Sequence, residues 1–206
     1  MLKIWGRANS SNVQKVLWTC TEIGIEFERI DCGGAFGKTK EPAYLAMNPN
    51  GLVPTVEDGK TILWESNTIM RYLASKHSAA KLYPTELVAR SQVERWMDWQ
   101  LASLTAPMSV LLFGHYRTPP EKRDSVALET ARKQAIGVLS ILEGQLGESG
   151  YVAGPDLTLA DICLGIFVHR WHEYPIERPK LPHLHKYYAR LSERPGYRKH
   201  VLGPVT

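Results

Sequence analysis

The sequence predicts a small mixed α/β domain followed by an all-helical domain. Short strand-like runs alternate with helical patterns up to about residue 80, in the order β-α-β and then β-β-α. No convincing strand pattern follows Leu82. We therefore expect a mixed sheet covered by helices in residues 1–80 and an all-helical domain in residues 81–206.

The first βαβ unit follows from apolar spacing and turn residues. Leu2 to Trp5 is a short apolar-rich run that predicts the first strand. Apolar residues at helical spacing begin near Asn12, and Gly24 is placed where a helix commonly ends. Glu26 to Ile30 alternates polar and apolar residues, which predicts a strand parallel to the first.

The second half of this domain combines a hairpin with a helix. A short helix is expected over Pro42 to Met47. Thr55 to Glu57 and Lys60 to Trp64 flank Asp58-Gly59, a dipeptide that is typical of two-residue hairpin turns. Ser66 is a good N-cap for a helix that continues to about Lys76.

Four helices are expected in the second domain, beginning near Pro84, Thr118, Thr158 and Leu184. The second of these starts is indicated by capping-box spacing and prolines, and its helix is expected to continue to about Leu146. Thr158 and Asp161 have the spacing of a capping box, which we interpret as structural. Replacing Asp161 with alanine is expected to lower the free energy of unfolding by about 0.5 to 2 kcal/mol.

Composition excludes several classes of function. The formal net charge is +4 over 206 residues, too small for a nucleic-acid-binding surface. The longest apolar run, Ile162 to Val168, is far shorter than the roughly 20 residues that span a bilayer. Met1 to Arg7 lacks the apolar stretch of a secretion signal, so we expect a cytoplasmic protein. Three widely spaced cysteines indicate neither a disulfide framework nor a zinc site.

Four short motifs in order carry a resemblance to a known family. They are Ser10-Ser11-Asn12, Asn48 to Pro54, Glu65-Ser66-Asn67 and Leu157 to Asp161. In these the chain resembles the cytosolic glutathione transferases, specifically their bacterial serine- or asparagine-type members, over essentially its whole length. The resemblance implies a thioredoxin-like first domain, glutathione as co-substrate and a homodimer.

The resemblance also implies the activity. Residues 1–80 would bind glutathione, and its thiolate would attack a small hydrophobic electrophile held against residues 81–206 in a detoxification reaction. No metal is expected. A glutathione-dependent peroxidase, disulfide reductase, dehalogenase or etherase on the same fold is an alternative. A non-catalytic binding module of the same fold is a second alternative.

Ser10, Ser11 and Asn12 lie where the first strand gives way to the first helix. A free cysteine thiol with a pKa near 8.5 is only about 3% ionised at pH 7, and the thiolate is the nucleophile. A hydroxyl donor at a helix N-terminus stabilises such an anion. The same residues also cap helices routinely. By the resemblance, Ser10 matches the catalytic serine of several classes and Asn12 matches an asparagine that contacts the thiol in some bacterial members.

Two further motifs match glutathione-binding elements of the family. The resemblance implies a cis bond between Val53 and Pro54, with the Val53 backbone pairing with the cysteinyl part of glutathione; an ordinary X-Pro turn is the alternative. Glu65 suits the γ-glutamyl ammonium, and Ser66 at a helix start suits its carboxylate. Lys40 is interpreted either as the cation for the glycine carboxylate or as a solvated loop lysine.

Other side chains invite interpretation as site residues. His169 and His172 are three residues apart, which is more typical of packing on one helix face than of a metal site. Met108, Phe113 and Tyr116 are candidates for the electrophile pocket. Cys20 and Cys32 are expected to be packing residues, which disfavours chemistry at a protein cysteine.

Overall fold

A computed structural model of the chain describes residues 1–147 and 149–205. The first part contains a four-stranded sheet whose strands lie in the order β2-β1-β3-β4. The strands are β1 (Leu2–Trp5), β2 (Phe27–Ile30), β3 (Thr55–Asp58) and β4 (Thr61–Trp64). β1 is parallel to β2 and antiparallel to β3, and β3 is antiparallel to β4. The predicted mixed, thioredoxin-like sheet is therefore confirmed.

Three helices accompany this sheet: α1 (Ser11–Ile23), α2 (Pro42–Met47) and α3 (Ser66–Lys76). α1 ends at Gly24, whose φ of 77° is the left-handed conformation that glycine adopts without strain. The hairpin differs by one residue from the prediction. Asp58 pairs with Thr61, so the turn is Gly59-Lys60, with Gly59 supplying a φ of 62° at the first turn position.

The second part is helical. Its helices are α4 (Leu87–Trp99), α5 (Thr105–Leu112), α6 (Ser125–Leu146), α7 (Leu159–Glu173), α8 (Pro182–Ser192) and α9 (Pro195–His200). π-helical turns over Gln100–Leu104 and Phe113–Arg117 make the helical backbone continuous from residue 87 to residue 117. None of the described helices is both long and apolar enough to cross a bilayer.

One predicted helix start is wrong, and one helix was not predicted. α6 begins at Ser125, not near Thr118, because Asp124 is its cap and accepts a hydrogen bond from Ala127 N at 2.9 Å. Pro120 disfavours helical backbone at the residue before it, and Pro119 is extended with a ψ of 141°. α9 was not predicted, because six residues are too few to show helical periodicity.

Two hydrophobic cores meet at α1. The first core lies between the sheet and the inner faces of α1 and α3, and includes Ile4, Val16 and Ile69. The second surrounds α7, and Trp18 of α1 belongs to it, with its ring 4.9 Å from that of Tyr197. α1 therefore buries one face in each core. The boundary predicted near residue 80 falls between α3 and α4.

Asp161 links α7 to its surroundings more extensively than a helix cap requires. The buried carboxylate accepts hydrogen bonds from Thr158 N at 2.8 Å and Thr158 Oγ1 at 2.9 Å. It also accepts from Val152 N and from the Tyr187 hydroxyl, both at 2.9 Å. Removing it would leave buried donors without an acceptor, and each such donor destabilises the folded state.

We expect Asp161→Ala to lower the free energy of unfolding by about 3 kcal/mol or more, beyond the loss of a cap alone. The free energy of unfolding is measured by urea denaturation, with circular dichroism as the signal. Asp156→Ala removes an exposed carboxylate from the same loop and should leave the midpoint unchanged. Equal midpoints for the native chain and Asp161→Ala would contradict the assignment.

Candidate functional site

A cleft of about 350 Å³ opens where the two parts of the molecule meet. One wall is formed by the β1–α1 loop, the loop before β3 and the start of α3, and the other by α5, the turn after it and α7. Seven of the eight predicted site residues line this cleft: Ser10, Ser11, Asn12, Val53, Pro54, Glu65 and Ser66. Residues that are far apart in the sequence thus form one surface.

Ser10 is the N-cap residue of α1 by backbone conformation, with φ −79° and ψ 126°. Its hydroxyl makes no capping hydrogen bond within the described chain, although the residue is buried at the cleft wall. Gln14 N donates to Ser10 O at 2.8 Å, so the N–H groups before it have no partner inside the helix. The hydroxyl and the helix N-terminus can therefore both interact with an anion in the cleft.

Asn12 connects the starts of two helices. The Ser66 hydroxyl at the start of α3 donates to Asn12 Oδ1 in the first turn of α1 at 3.3 Å. This hydrogen bond engages the amide oxygen of Asn12 and brings the N-termini of α1 and α3 to the same end of the cleft. Ser11, half-buried in the first turn of α1, also lines the cleft.

The Val53-Pro54 bond is cis, as the resemblance implies. The preceding loop is held by buried Asn48, whose Nδ2 donates to Leu52 O at 2.9 Å and to Thr55 Oγ1 at 3.1 Å. Asn48 was quoted in the sequence motif but was not assigned a role. We interpret it as a positioning residue, since it fixes both sides of the Val53-Pro54 step.

Glu65, not Ser66, is the N-cap residue of α3, which corrects the sequence prediction. Its φ of 71° lies in a region that residues other than glycine rarely occupy. Such backbone persists only where the surrounding structure holds it, and it is commonly found at binding sites. Glu65 is exposed beside buried Ser66, so an acceptor and a helix N-terminus lie next to each other at the cleft wall.

Lys40 does not line the cleft. Its ammonium lies beside Gly51, where an added Cβ would come within 2.8 Å of Lys40 Nζ and 2.9 Å of Thr39 O. Gly51 itself lines the cleft and has a φ of 61°. Lys40 is therefore exposed at the rim of the cleft, next to the lining residue Gly51.

A fully buried lysine lies behind the cleft. Lys15 Nζ donates to Gln100 Oε1 at 2.6 Å and to Asn67 Oδ1 at 3.2 Å. Burial lowers the pKa of Lys15, and the nearby Arg170 lowers it further, while Cys163 and Glu65 act in the opposite direction. These hydrogen bonds join α1, α3 and the helical part of the chain at one point.

Three arginines line the cleft that sequence reasoning missed: Arg7, Arg117 and Arg170. Arg170 is only 6% exposed and follows the apolar run of α7. Burial is the largest cause that lowers the pKa of Arg170, with Arg117 and Arg7 adding to it. The sequence signal was an arginine close behind the apolar run Ile162 to Val168, because charged side chains are seldom buried without a purpose.

The cysteines lie away from the lining and are protected. Burial raises the pKa of Cys20 to about 12 and that of Cys163 to about 11, and it also raises the pKa of Cys32. All three thiols are buried and uncharged at neutral pH, so they are poor nucleophiles.

The other candidates divide between cleft and core. Phe113 lines the cleft, whereas Met108 is buried in the second core. Tyr116 donates its hydroxyl to Glu173 O at 2.9 Å. Both ring nitrogens of His169 are engaged, by the Tyr188 hydroxyl and by Gly203 O. Among residues 1–147 and 149–205, no three His, Cys, Asp or Glu side chains are grouped to hold a metal.

Comparison with known proteins gives a consistent result. Residues 1–75 match the glutathione S-transferase N-terminal domain, and residues 104–195 match the C-terminal domain. Glutathione S-transferase GstB of Escherichia coli is 37% identical and covers 100% of both chains. Glutathione S-transferase 3 of Zea mays is 30% identical and covers 97% of this chain and 93% of its own.

A solved structure agrees closely. The theta class glutathione S-transferase of Xanthomonas axonopodis pv. citri, crystallised with glutathione bound, superposes with a TM-score of 0.96 and 44% identity. The match covers 100% of this chain and 99% of that one. On the family-model matches and the full-length relatives together, the chain belongs to the glutathione S-transferase family.

Proposed function

We propose that the protein is a glutathione S-transferase of the serine/asparagine type, which activates glutathione as its thiolate and conjugates it to small electrophiles. The observation that carries this is the convergence of two helix N-termini, at Ser10 and Ser66, on one cleft. Free backbone N–H groups and helix dipoles favour anions at such positions. Glutathione has two carboxylates and a thiol, so it matches a site with more than one anion-binding element.

The Ser10 hydroxyl is proposed as the main donor to the thiolate, with help from Asn12 and with Ser11 as the third candidate. Ser10 is buried at the cleft and its hydroxyl is not used as a cap. Lowering the thiol pKa by two units would raise the ionised fraction from about 3% to roughly three quarters at pH 7. That change requires about 2.7 kcal/mol of selective stabilisation of the anion.

The remaining parts of glutathione are assigned by charge. The Val53 backbone beside Pro54 would pair with the cysteinyl residue, as an added strand pairs with a sheet edge. Glu65 would accept from the γ-glutamyl ammonium, and the Ser66 hydroxyl and helix N-terminus would bind the adjacent carboxylate. Lys40 at the rim would bind the glycine carboxylate.

In this proposal, residues 1–80 bind glutathione and residues 81–206 complete the electrophile pocket. Leu112, Phe113 and Phe167 provide apolar side chains on that wall of the cleft. Glutathione attacks directly, so no bond to the protein forms. On the resemblance alone, we also propose a cytoplasmic homodimer.

Replacing the proposed donor should raise the pKa of bound glutathione. We expect Ser10→Ala to shift the titration midpoint of the thiolate ultraviolet absorbance upward by about one pKa unit or more, since a hydrogen bond to a charged group contributes about 1.5–3 kcal/mol. Ser11→Ala is the matched control and should shift the midpoint much less. An unchanged midpoint in Ser10→Ala would remove Ser10 from the mechanism.

The role of Lys40 can be tested with a modified ligand. We expect Lys40→Gln to weaken calorimetric binding of glutathione several-fold, because an ion pair at an exposed rim contributes up to about 1 kcal/mol. The same substitution should not change the binding of glutathione whose glycine carboxylate is amidated. Lys38→Gln, in the same loop, is the control. Equal losses for both ligands would show that Lys40 does not bind the glycine carboxylate.

A substrate panel separates conjugation from the alternatives on the same fold. With glutathione present, we expect turnover of a chloroaromatic electrophile to exceed turnover of a hydroperoxide or a disulfide, as the proposed conjugation requires. The described cysteines are buried, so each of these reactions would use the glutathione thiolate. The reverse order would favour a peroxidase or a reductase. Retention on immobilised glutathione without any turnover would indicate a binding module.

A further inference from the structure

Arg170 is a buried arginine with no carboxylate partner in the described part of the chain. The residue is 6% exposed and lines the cleft from α7. Within the described part of the chain, its guanidinium donates one hydrogen bond, to Asn9 O at 3.3 Å, and pairs with no carboxylate. A guanidinium carries five N–H donors and remains charged at neutral pH. A buried cation that pairs with no carboxylate of the described chain favours an anionic partner in the cleft that it lines.

Two further arginines reinforce this charge. Arg7 precedes the β1–α1 turn, and Ser10 N donates to Arg7 O at 3.2 Å, so Arg7 and Ser10 belong to one turn. Arg117, at the end of the helical segment after α5, lies over the Phe113 ring at 4.8 Å. Burial lowers the pKa of Arg7, and the nearby charge of Arg117 lowers it further. Arg7 forms no ion pair in the described chain.

The cleft lining therefore has more basic than acidic side chains. Its lining includes three arginines and one glutamate, Glu65. In the proposed function, Glu65 is paired with the γ-glutamyl ammonium of glutathione, so it does not neutralise the arginines. The two glutathione carboxylates are assigned to Ser66 and Lys40. A second anionic group can then occupy the space between Arg170 of α7 and the Arg7 turn.

We propose that Arg170 and Arg7 select electrophiles that carry a carboxylate beside the reacting carbon. This inference rests on the proposed function. For a 2-halocarboxylate, the glutathione thiolate attacks the α-carbon, a carbon–sulfur bond forms, and the carbon–halogen bond breaks to release halide. No oxidant, reductant or proton is needed. Because guanidinium and carboxylate match in planar two-point geometry, the arginines would hold the carboxylate while the α-carbon faces the sulfur.

Iodoacetate and iodoacetamide test this proposal, since they share a leaving group and nearly a size but differ by one charge. For each reagent, kcat/KM at saturating glutathione is divided by the uncatalysed second-order rate constant with glutathione. We expect this enhancement to be about tenfold or more larger for iodoacetate, the size of one charge-assisted hydrogen bond. The buried cysteines should react slowly with either reagent.

Variants of the protein test whether Arg170 and Arg7 cause the larger rate enhancement with iodoacetate. Arg170→Met and Arg7→Gln should each reduce the enhancement for iodoacetate about tenfold more than that for iodoacetamide, as expected for loss of a charge-assisted contact. Arg170→Lys should restore part of the difference, because it keeps the charge. Arg95→Gln removes an exposed charge from α4 and should change neither enhancement. Arg7 is only half-buried, so its variant is informative even if Arg170→Met fails to fold.

Two outcomes would overturn the inference alone: equal enhancements for the two reagents in the native protein, or equal losses for both in Arg170→Met and Arg7→Gln. If these variants lost the enhancement equally for both reagents and also raised the pKa of bound glutathione, the arginines would interact with the thiolate instead. If the native protein neither bound glutathione nor accelerated the iodoacetamide reaction, the proposed function itself would fail. The two failures are therefore distinguishable.

Discussion

The site depends on two helices that begin side by side. α1 and α3 are joined near their N-termini by the Asn12–Ser66 hydrogen bond and by the hydrogen bond from buried Lys15 to Asn67. Because both helices pack on the same sheet, their free N–H groups face one cleft and create a region that favours anions. Lys15 also reaches Gln100, so the same point fixes the helical part of the molecule against the first.

Much of the fold could be predicted because local signals agreed with the tertiary structure. The Asn-Pro-Asn-Gly loop and the Thr158–Asp161 cap each specify a backbone geometry through nearby residues. Asp58-Gly59 located the hairpin, although the turn itself is Gly59-Lys60. The predictions are wrong where a neighbouring residue favours a different backbone conformation. Pro120 prevented the helix start proposed near Thr118, and the cap of α3 moved to Glu65, whose positive φ no local pattern predicts.

The candidate site was predictable to the extent that it consists of helix starts and turns. Ser10, Asn12 and Ser66 could be identified from local sequence and resemblance, and the structure brings them to one cleft. Arg170 could not, because its approach to Asn9 joins residues 161 positions apart. Lys40 was assigned from the resemblance, and its side chain is exposed at the rim and does not line the cleft.

The central claim is that a tripeptide thiol is held as its anion by neutral donors at the start of α1. A crystal structure of the glutathione complex tests it most directly. The account predicts the sulfur about 3.0–3.5 Å from Ser10 Oγ, with the γ-glutamyl end at Glu65 and Ser66. Glutathione bound outside this cleft, or with its sulfur out of reach of Ser10, would contradict it.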